Sequence, residues 1–381
     1  MAEKRSIFEE VGAETRSPAV PKGGMIDSAR KGSRGAVRLW LMALFSLVVL
    51  MIAVGGLTRL TDSGLSITEW QPVAGALPPI SDADWQTEFQ KYQAIPEFRL
   101  QNSKMTLDQF KGIFWWEWGH RQLGRLIGLV WAVGFIVLMA TRRIPPGWTG
   151  RLILPGLLGG LQGAIGWWMV SSGLTGRMVD VASYRLAIHL GLAFTILGVI
   201  AWLVLLLGRS EAALMQARRG SEAGTVRLGT VLVAALVVQI LLGALVAGID
   251  AGRSYNTWPL MDGQVLPPHA FDLTPLWSNF FENAGLVQWM HRTVGYFLVL
   301  VGIFAWMRSR RSGNGSVRFA FDAVLAMLVL QLLLGIATVL YAAPLGISIL
   351  HQFGAVLLWS LILRARFMAR YPAVQSVRGG K

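Results

Sequence analysis

The sequence contains no cysteine. Disulfides, thiolate metal sites, iron–sulfur clusters and thiol redox chemistry are therefore excluded, and any metal chemistry must rest on the five histidines and the carboxylates. Charge is also scarce: Asp, Glu, Lys and Arg make up 15% of the 381 residues, while 54% are hydrophobic and the mean hydropathy is +0.50. A water-soluble domain of this size needs roughly a quarter of its residues charged to cover its surface. A soluble enzyme is thus excluded, and the bilayer is the expected solvent. Acidic residues are the scarcer sign, which leaves a formal net charge of +14. That excess does not indicate nucleic-acid binding, which needs a basic face on a soluble domain; here the basic residues fall in short clusters between apolar runs.

A transmembrane helix needs about 20 mostly apolar residues, and eight such stretches occur, near 39–57, 123–140, 152–172, 186–207, 228–249, 285–306, 320–341 and 347–364. The expected fold is an all-α polytopic membrane protein. Basic clusters at Arg142, Arg143 and Arg151, at Arg209, Arg218, Arg219 and Arg227, and at Arg308, Arg310, Arg311 and Arg318 mark three loops as cytoplasmic by the positive-inside rule. The N-terminal tail (Lys4, Arg5, Arg16, Lys22, Arg30, Lys31, Arg34, Arg38) and the C-terminal tail (Arg364, Arg366, Arg370, Arg378, Lys381) fall on the same side. Residues 1–36 read as a disordered basic tail, too long and polar to be a removable signal peptide. The outer side receives two sizeable loops, roughly 58–112 and 250–284. In the first, Ser81 and Asp84 form a capping-box-like helix start. Trp85, Phe89 and Tyr92 then share one face, so an amphipathic helix resting on the bundle or bilayer surface is expected.

The two halves of the chain repeat each other. Asp62-x-Gly64-x-Ser66, Trp70, Pro72, Gly75 and Pro78-Pro79 after the first span recur as Asp250-x-Gly252-x-Ser254, Trp258, Pro259, Gly263 and Pro267-Pro268 after the fifth. The second and sixth spans open with Glu117-Trp118-Gly119-His120-Arg121 and Gln288-Trp289-Met290-His291-Arg292, followed by Gly124 and Gly295. The fourth and eighth spans begin with Ile188-His189-Leu190-Gly191 and Leu350-His351-Gln352-Phe353-Gly354, while Gln162-x-x-x-Gly166, Gln239-x-x-x-Gly243 and Gln331-x-x-x-Gly335 mark the third, fifth and seventh. Close helix packing and interhelical hydrogen bonds account for most shared Gly and Gln positions. Each half enters the membrane from the cytoplasm, so the halves are parallel repeats. We expect two tandem pseudo-symmetric four-helix bundles, residues 37–210 and 211–368, flanked by the tail 1–36 and a cytoplasmic tail 369–381.

Four of the five histidines fall at the outer ends of the even-numbered spans and pair within each half, His120 with His189 and His291 with His351. A polar side chain within a membrane helix is costly and signals function. With no Cys and no carboxylate cluster beside them, two His on alternate helices fit the two axial ligands of a haem iron, a flat apolar plate that a bundle interior can hold. Non-haem iron or copper normally needs a third or fourth close ligand. Gly124, Gly191, Gly295 and Gly354 would make room for the rings. Arg121 and Arg292 read either as partners of haem propionates or as snorkelling side chains at the interface. Trp115, Trp116, Trp118 and Trp289 read as aromatic-belt anchors, and His269, which has no repeat partner, as a surface loop residue. Glu117 and Gln288 occupy the same repeat position, three residues before the first His of each pair. Three residues is one helical turn, so Glu117 reads as an acid or base beside His120, against the plainer alternative of a helix-dipole partner. The first half is then expected to do chemistry and the second to hold a permanent haem.

The stretch Tyr92-Gln-Ala-Ile-Pro-Glu-Phe98 and the block Phe110-Lys-Gly-Ile-Phe-Trp-Trp-Glu-Trp-Gly-His-Arg121, with the duplicated unit and the paired histidines, resemble the haem A synthase family. The likeness runs from about 37 to 368 and is to the proteobacterial and mitochondrial type; the outer-loop cysteine pair of some bacterial relatives is missing. The resemblance implies an oxidoreductase of the bacterial inner membrane that oxidises a ring methyl of haem O to a formyl group, making haem A for cytochrome c oxidase. It implies two successive hydroxylations to a gem-diol, which loses water. His291 and His351 would ligate a haem b cofactor through which electrons leave, His120 and His189 would hold the substrate haem, and Glu117 would be the acid/base residue. Implied partners are the haem O synthase (farnesyltransferase), a membrane electron acceptor and the lipid bilayer, with haem sites toward the periplasm. Two other readings compete: a dihaem b-type quinol oxidoreductase, in which both pairs hold permanent haem, and a transporter with His-lined sites.

Overall fold

The computed structural model describes residues 25–176 and 178–373. Eight of its helices are long and apolar enough to cross a membrane: α1 (Met25–Leu60), α4 (Leu107–Ala140), α5 (Thr149–Val170), α6 (Ser183–Leu207), α8 (Ala223–Gly248), α10 (Ala284–Ser309), α11 (Gly315–Leu340) and α12 (Leu345–Arg370). Four shorter helices lie between them, α2 (Asp82–Gln93), α3 (Pro96–Leu100), α7 (Glu211–Arg219) and α9 (Asn279–Glu282). Among the described residues no strand forms. The protein is an all-α multi-pass membrane protein. The even count of spans puts the start of α1 and the end of α12 at one end of the bundle, while residues 61–106 and 249–283 cap the other, called here the loop face.

Two boundaries differ from expectation. α1 already includes residues 25–36, expected as irregular tail, whereas 1–24 lie outside the described residues. α4 begins far ahead of 123: Thr106 and Gln109 close a capping box, and the aromatic run Phe110–Trp118 continues the helix out toward the loops. Hydropathy missed this stretch because Lys111, Glu117 and His120 dilute its apolar signal. His120 therefore sits well inside a helix rather than at its outer end.

In a bilayer the lipid tails are as apolar as leucine, so helices associate through close packing and hydrogen bonds. Glycine enables both. Trp40 lies over Gly134, where a Cβ would strike the indole, and its Nε1 donates to Val130 O at 2.9 Å. Trp131 lies over Gly156 in the same way and donates to Leu152 O at 3.0 Å. One continuous core runs from Val37 to Ala369 and includes Leu41, Leu197, Leu232, Phe321 and Ile362, so residues of both halves share it. α6 lies at the centre, packed against α1, α8 and α12 as well as α5. At the end opposite the loop face, Arg34 caps the terminal carbonyls of α6, donating to Leu206 O at 3.1 Å and Arg209 O at 2.6 Å; a cation there also complements the helix dipole.

On the loop face the halves are clasped by Arg59, near the end of α1. Its guanidinium reaches Asp62 at 2.6 Å, Asp250 at 3.0 Å and Asp180 at 3.6 Å, and its Nε donates to Ala247 O at 3.1 Å. Asp62 and Asp250 are repeat mates, both at positive φ, 49° and 50°, a conformation that Asp tolerates better than most residues. One arginine thus bridges the same turn of both halves. Arg59 is 12% exposed and its partners are about half exposed, which places the clasp between a screened surface pair and a buried one. Arg59→Ala should cost about 1–3 kcal/mol, read as a lowered melting temperature of the solubilised protein; an unchanged melting curve would remove Arg59 from the interface.

The first loop folds on its own small core. Ser81 accepts from Asp84 N–H at 3.2 Å and Asp84 accepts from Ser81 N–H at 3.0 Å, completing the expected capping box. Trp85, Phe89 and Tyr92 bury one face of α2 against Phe110 and Phe114 of α4. The surface on which α2 rests is thus the extension of α4. Glu97 of α3 is buried under this cluster, with Asn102 Nδ2 at 3.3 Å from Oε1 and no partner for Oε2. Burial pushes its carboxyl from the usual 4.5 up to about 8; the Tyr92 hydrogen bond opposes the rise, and the charges of Asp180, Glu117 and Asp62 add to it. The folded loop therefore holds this proton more tightly than an unfolded one does. Its contribution to stability is complete below about pH 4.5 and is lost as pH rises toward 8. Hydrogen-exchange protection of residues 82–110, corrected for intrinsic rates, should fall between pH 5 and 9, and Glu97→Gln should flatten that dependence.

Candidate haem-binding site

Each of the four paired histidines packs on a glycine of the long helix before it. A Cβ on Gly55 of α1 would lie 3.1 Å from His120 Nε2. The same construction puts Gly166 of α5 at 2.9 Å from His189 Cε1, Gly243 of α8 at 3.1 Å from His291 Cε1 and Gly335 of α11 at 3.2 Å from His351 Cε1. All four contacts are tighter than an ordinary side-chain approach, so each imidazole uses space that only glycine leaves. All four rings are set between helices yet keep some accessible surface.

The glutamine four residues before the glycine shares its helix face. Gln162 Nε2 lies 3.2 Å from both ring nitrogens of His189 and donates to its carbonyl at 3.0 Å. Gln239 Nε2 lies 3.3 Å from His291 Nε2. Gln331, with its amide turned to satisfy both ends, donates to His351 Nδ1 at 3.0 Å and to its carbonyl at 3.1 Å. The Gln-x-x-x-Gly pattern is thus more than helix packing. The glycine admits the ring and the glutamine fixes it.

Gly124, Gly191, Gly295 and Gly354, expected to make room for a haem ring, have these side chains beside them. Met51 Cε would lie 3.4 Å from a Cβ at Gly124, Leu241 Cδ2 2.7 Å from one at Gly191 and Gln239 Nε2 3.2 Å from one at Gly295, while Gln331 fills the space at Gly354. Gly124, Gly295 and Gly354, three or four residues after their histidines, share the histidine's helix face and meet the same neighbouring helix one turn further along, where Met51, Gln239 and Gln331 take the space.

His291 and His351 face each other with ring centres 6.4 Å apart and planes at 85°. An iron bound by two imidazoles through bonds of about 2.0–2.1 Å puts the ring centres roughly 6 Å apart. The second pair therefore fits a metal shared between its rings, and the buried, unpartnered Nδ1 of His291 is a nitrogen in need of a partner. In the first half the helices that carry His120 and His189, α4 and α6, both pack on α1.

Glu117 is buried, one turn before His120, and both carboxylate oxygens are held. Oε2 accepts from Ser66 O–H at 2.8 Å and Ile67 N–H at 2.7 Å; Oε1 accepts from Arg121 Nη2 at 2.6 Å and Nε at 3.1 Å. Arg121 also donates to the carbonyls of Ile67 and Glu69 at 2.7 and 2.9 Å. The second half repeats the node with an amide: Gln288 donates to Ala251 O at 2.9 Å and accepts from Arg292 at 2.9 Å, while Arg292 donates to Tyr255 O and Thr257 O, both at 2.9 Å. Both arginines thus tie the loops to the helices. Trp115 and Trp116 are exposed at 45% and 40%, Trp118 and Trp289 partly buried. His269 is an exposed loop residue at 2.6 Å from Asp272.

The model of the COX15-CtaA family, cytochrome oxidase assembly proteins, matches residues 38–363. The chain belongs to this family. It is 65% identical over 381 residues to the haem A synthase of Dinoroseobacter shibae, covering all of this chain and 99% of the relative. It is 62% identical to that of Ruegeria pomeroyi over the whole of both chains, and 59% identical to that of Paracoccus denitrificans over 99% of both. For this COX15-CtaA member, sequence reasoning missed Arg59, Gly55, Ser66 and the ring contacts of the glutamines. The Gln-x-x-x-Gly recurrence was the available signal for the last; nothing in the sequence announced that Arg59 would meet Asp250.

Proposed function

We propose that the protein is a haem A synthase, a membrane oxidoreductase that converts a ring methyl of haem O to the formyl group of haem A for cytochrome c oxidase. The observation that carries this reading is the imidazole pair His291–His351, with ring centres 6.4 Å apart, in a chain of this family whose first half carries His120 and His189 at the repeat positions. His291 and His351 hold a haem b cofactor in the second half, residues 211–368. When bound, that cofactor supplies a one-electron relay out of the site. His120 and His189 hold haem O as substrate in the first half, residues 37–210, which carries the chemistry.

Glu117 is the acid/base group of the first half. Of its four donors only the Ser66 hydroxyl can hand on a proton, since Ile67 offers an amide N–H and Arg121 a guanidinium. Ser66 and Glu117 together form a short route for a proton one turn from His120. Arg121 and Arg292 hold the loops through their carbonyls and would be the partners of the haem propionates. The arginine-rich segments around Arg142, Arg218 and Arg310 support an orientation with both termini in the cytoplasm of a bacterial inner membrane and the loop face, with the haem sites, toward the periplasm. Haem O delivered by a haem O synthase and a membrane electron acceptor complete the set of partners.

Mass identification of every porphyrin that co-purifies with the protein tests the reading. Haem B together with haem O or haem A is the expected result. Two equivalents of haem B alone would favour a dihaem electron relay, and an absence of visible haem absorption would favour a transporter.

A further inference from the structure

Three of the four histidine rings have a glutamine amide at their edge, and the fourth does not. Gln162 serves His189, Gln239 serves His291 and Gln331 serves His351. The repeat places Met51 where Gln239 stands, as it places Gly55 where Gly243 stands and Asp62 where Asp250 stands. Among the described residues no side-chain hydrogen bond reaches the His120 ring. The replacement is confined to the end of the side chain: Met51 Cε lies 3.4 Å from the Cβ position of Gly124, and Gln239 Nε2 lies 3.2 Å from that of Gly295, the repeat mate of Gly124. Methionine and glutamine thus follow the same path over the same glycine. One ends in an amide that can donate to or accept from an imidazole, the other in a methyl group.

A ligating imidazole keeps its proton on the nitrogen away from the metal; a glutamine amide turned to present its oxygen there accepts that N–H, fixes the ring's orientation and tautomer and raises its basicity, and losing such a partner typically costs 10–100-fold in metal affinity. The second half gives both histidines this support. The first half gives it to His189 alone. This asymmetry matches the demands on the two sites, because a cofactor must stay through many turnovers, whereas a substrate must enter and its product must leave.

We propose that Met51 makes His120 the releasing ligand of the first pair, so that haem exchanges between His120 and His189 while the doubly supported His291–His351 pair retains its own. The inference rests on the reading that the first half takes the substrate haem. It assigns Met51 a positioning role through His120.

Reciprocal exchange of the two side chains tests it. The purified full-length protein is mixed with excess apomyoglobin as a haem scavenger, and the loss of each pigment is followed by absorbance and by extraction with mass identification. Met51→Gln should slow release of haem O or haem A by about 10–100-fold and raise the amount that co-purifies. Single-turnover formyl production should persist while steady-state output falls. Gln239→Met should speed release of haem B by a similar factor. Release of haem O or A from Met51→Gln at the wild-type rate, in protein that keeps its haem B, would overturn the proposal. If Met51→Gln fails to fold and loses both pigments, Gln239→Met decides: unchanged haem B release overturns the proposal and faster release supports it. Failure of the functional reading looks different, because the wild-type protein itself would then carry no haem O or haem A.

Discussion

Glu117→Gln is expected to keep both haem sites and to lose formyl production by about 10²-fold or more, the usual range for removing a positioned acid or base. The second half shows why the fold should survive. Gln288 occupies the same node, accepts from Arg292 at 2.9 Å and donates to loop carbonyls. In the first half a glutamine would keep the acceptor toward Arg121, and the Ser66 hydroxyl can rotate to accept from the new amide. The Ile67 N–H would lose its acceptor, a cost of about 1–3 kcal/mol confined to the loop. What disappears is the ability to take up and return a proton. The check is paired: porphyrin content of the purified variant and haem A formed by cells that carry it. Unchanged haem A output would remove Glu117 from the chemistry, and loss of all pigment would show that its role is to hold the loop.

His291→Ala and His351→Ala should each abolish the spectrum of haem b held by two imidazoles. Either change removes one of the two imidazoles that would hold the haem, and the remaining ring would hold it more weakly. A bound haem b fraction below about a tenth of wild type is expected, consistent with loss of a direct ligand costing more than the 10–100-fold of a supporting contact. His120→Ala and His189→Ala should leave haem b in place and lose the substrate pigment. Reduced-minus-oxidised spectra and extraction on the same samples read both outcomes. An unchanged haem b spectrum in His291→Ala would overturn the division of labour between the halves.

Membrane spans were legible because the bilayer demands about 20 apolar residues in a row, a property of composition that needs no partner. The fault at α4 is instructive. Its first four turns mix aromatic and charged residues, so no hydropathy window marks them, yet the Thr106–Gln109 capping box was there to be seen. The His291–His351 neighbourhood was legible because the two repeats can be compared without coordinates. Arg59 was not, since its value lies in meeting Asp250, 191 residues away.

Sequence alone settled the all-α class, the number of spans, the internal repeat and that four histidines stand at matched repeat positions, because period, apolar length and spacing are local properties of the chain. Tertiary structure alone decided which glycines admit the rings, that Glu117 is held by the Ser66 hydroxyl, the Ile67 amide and Arg121, and that His120 lacks the amide its three counterparts have. Those facts depend on the rotation of each helix against its neighbours. That rotation is set by close packing over Gly134, Gly156 and the four ring-bearing glycines, and in a lipid environment such contacts between distant segments, with no hydrophobic force to replace them, select the arrangement.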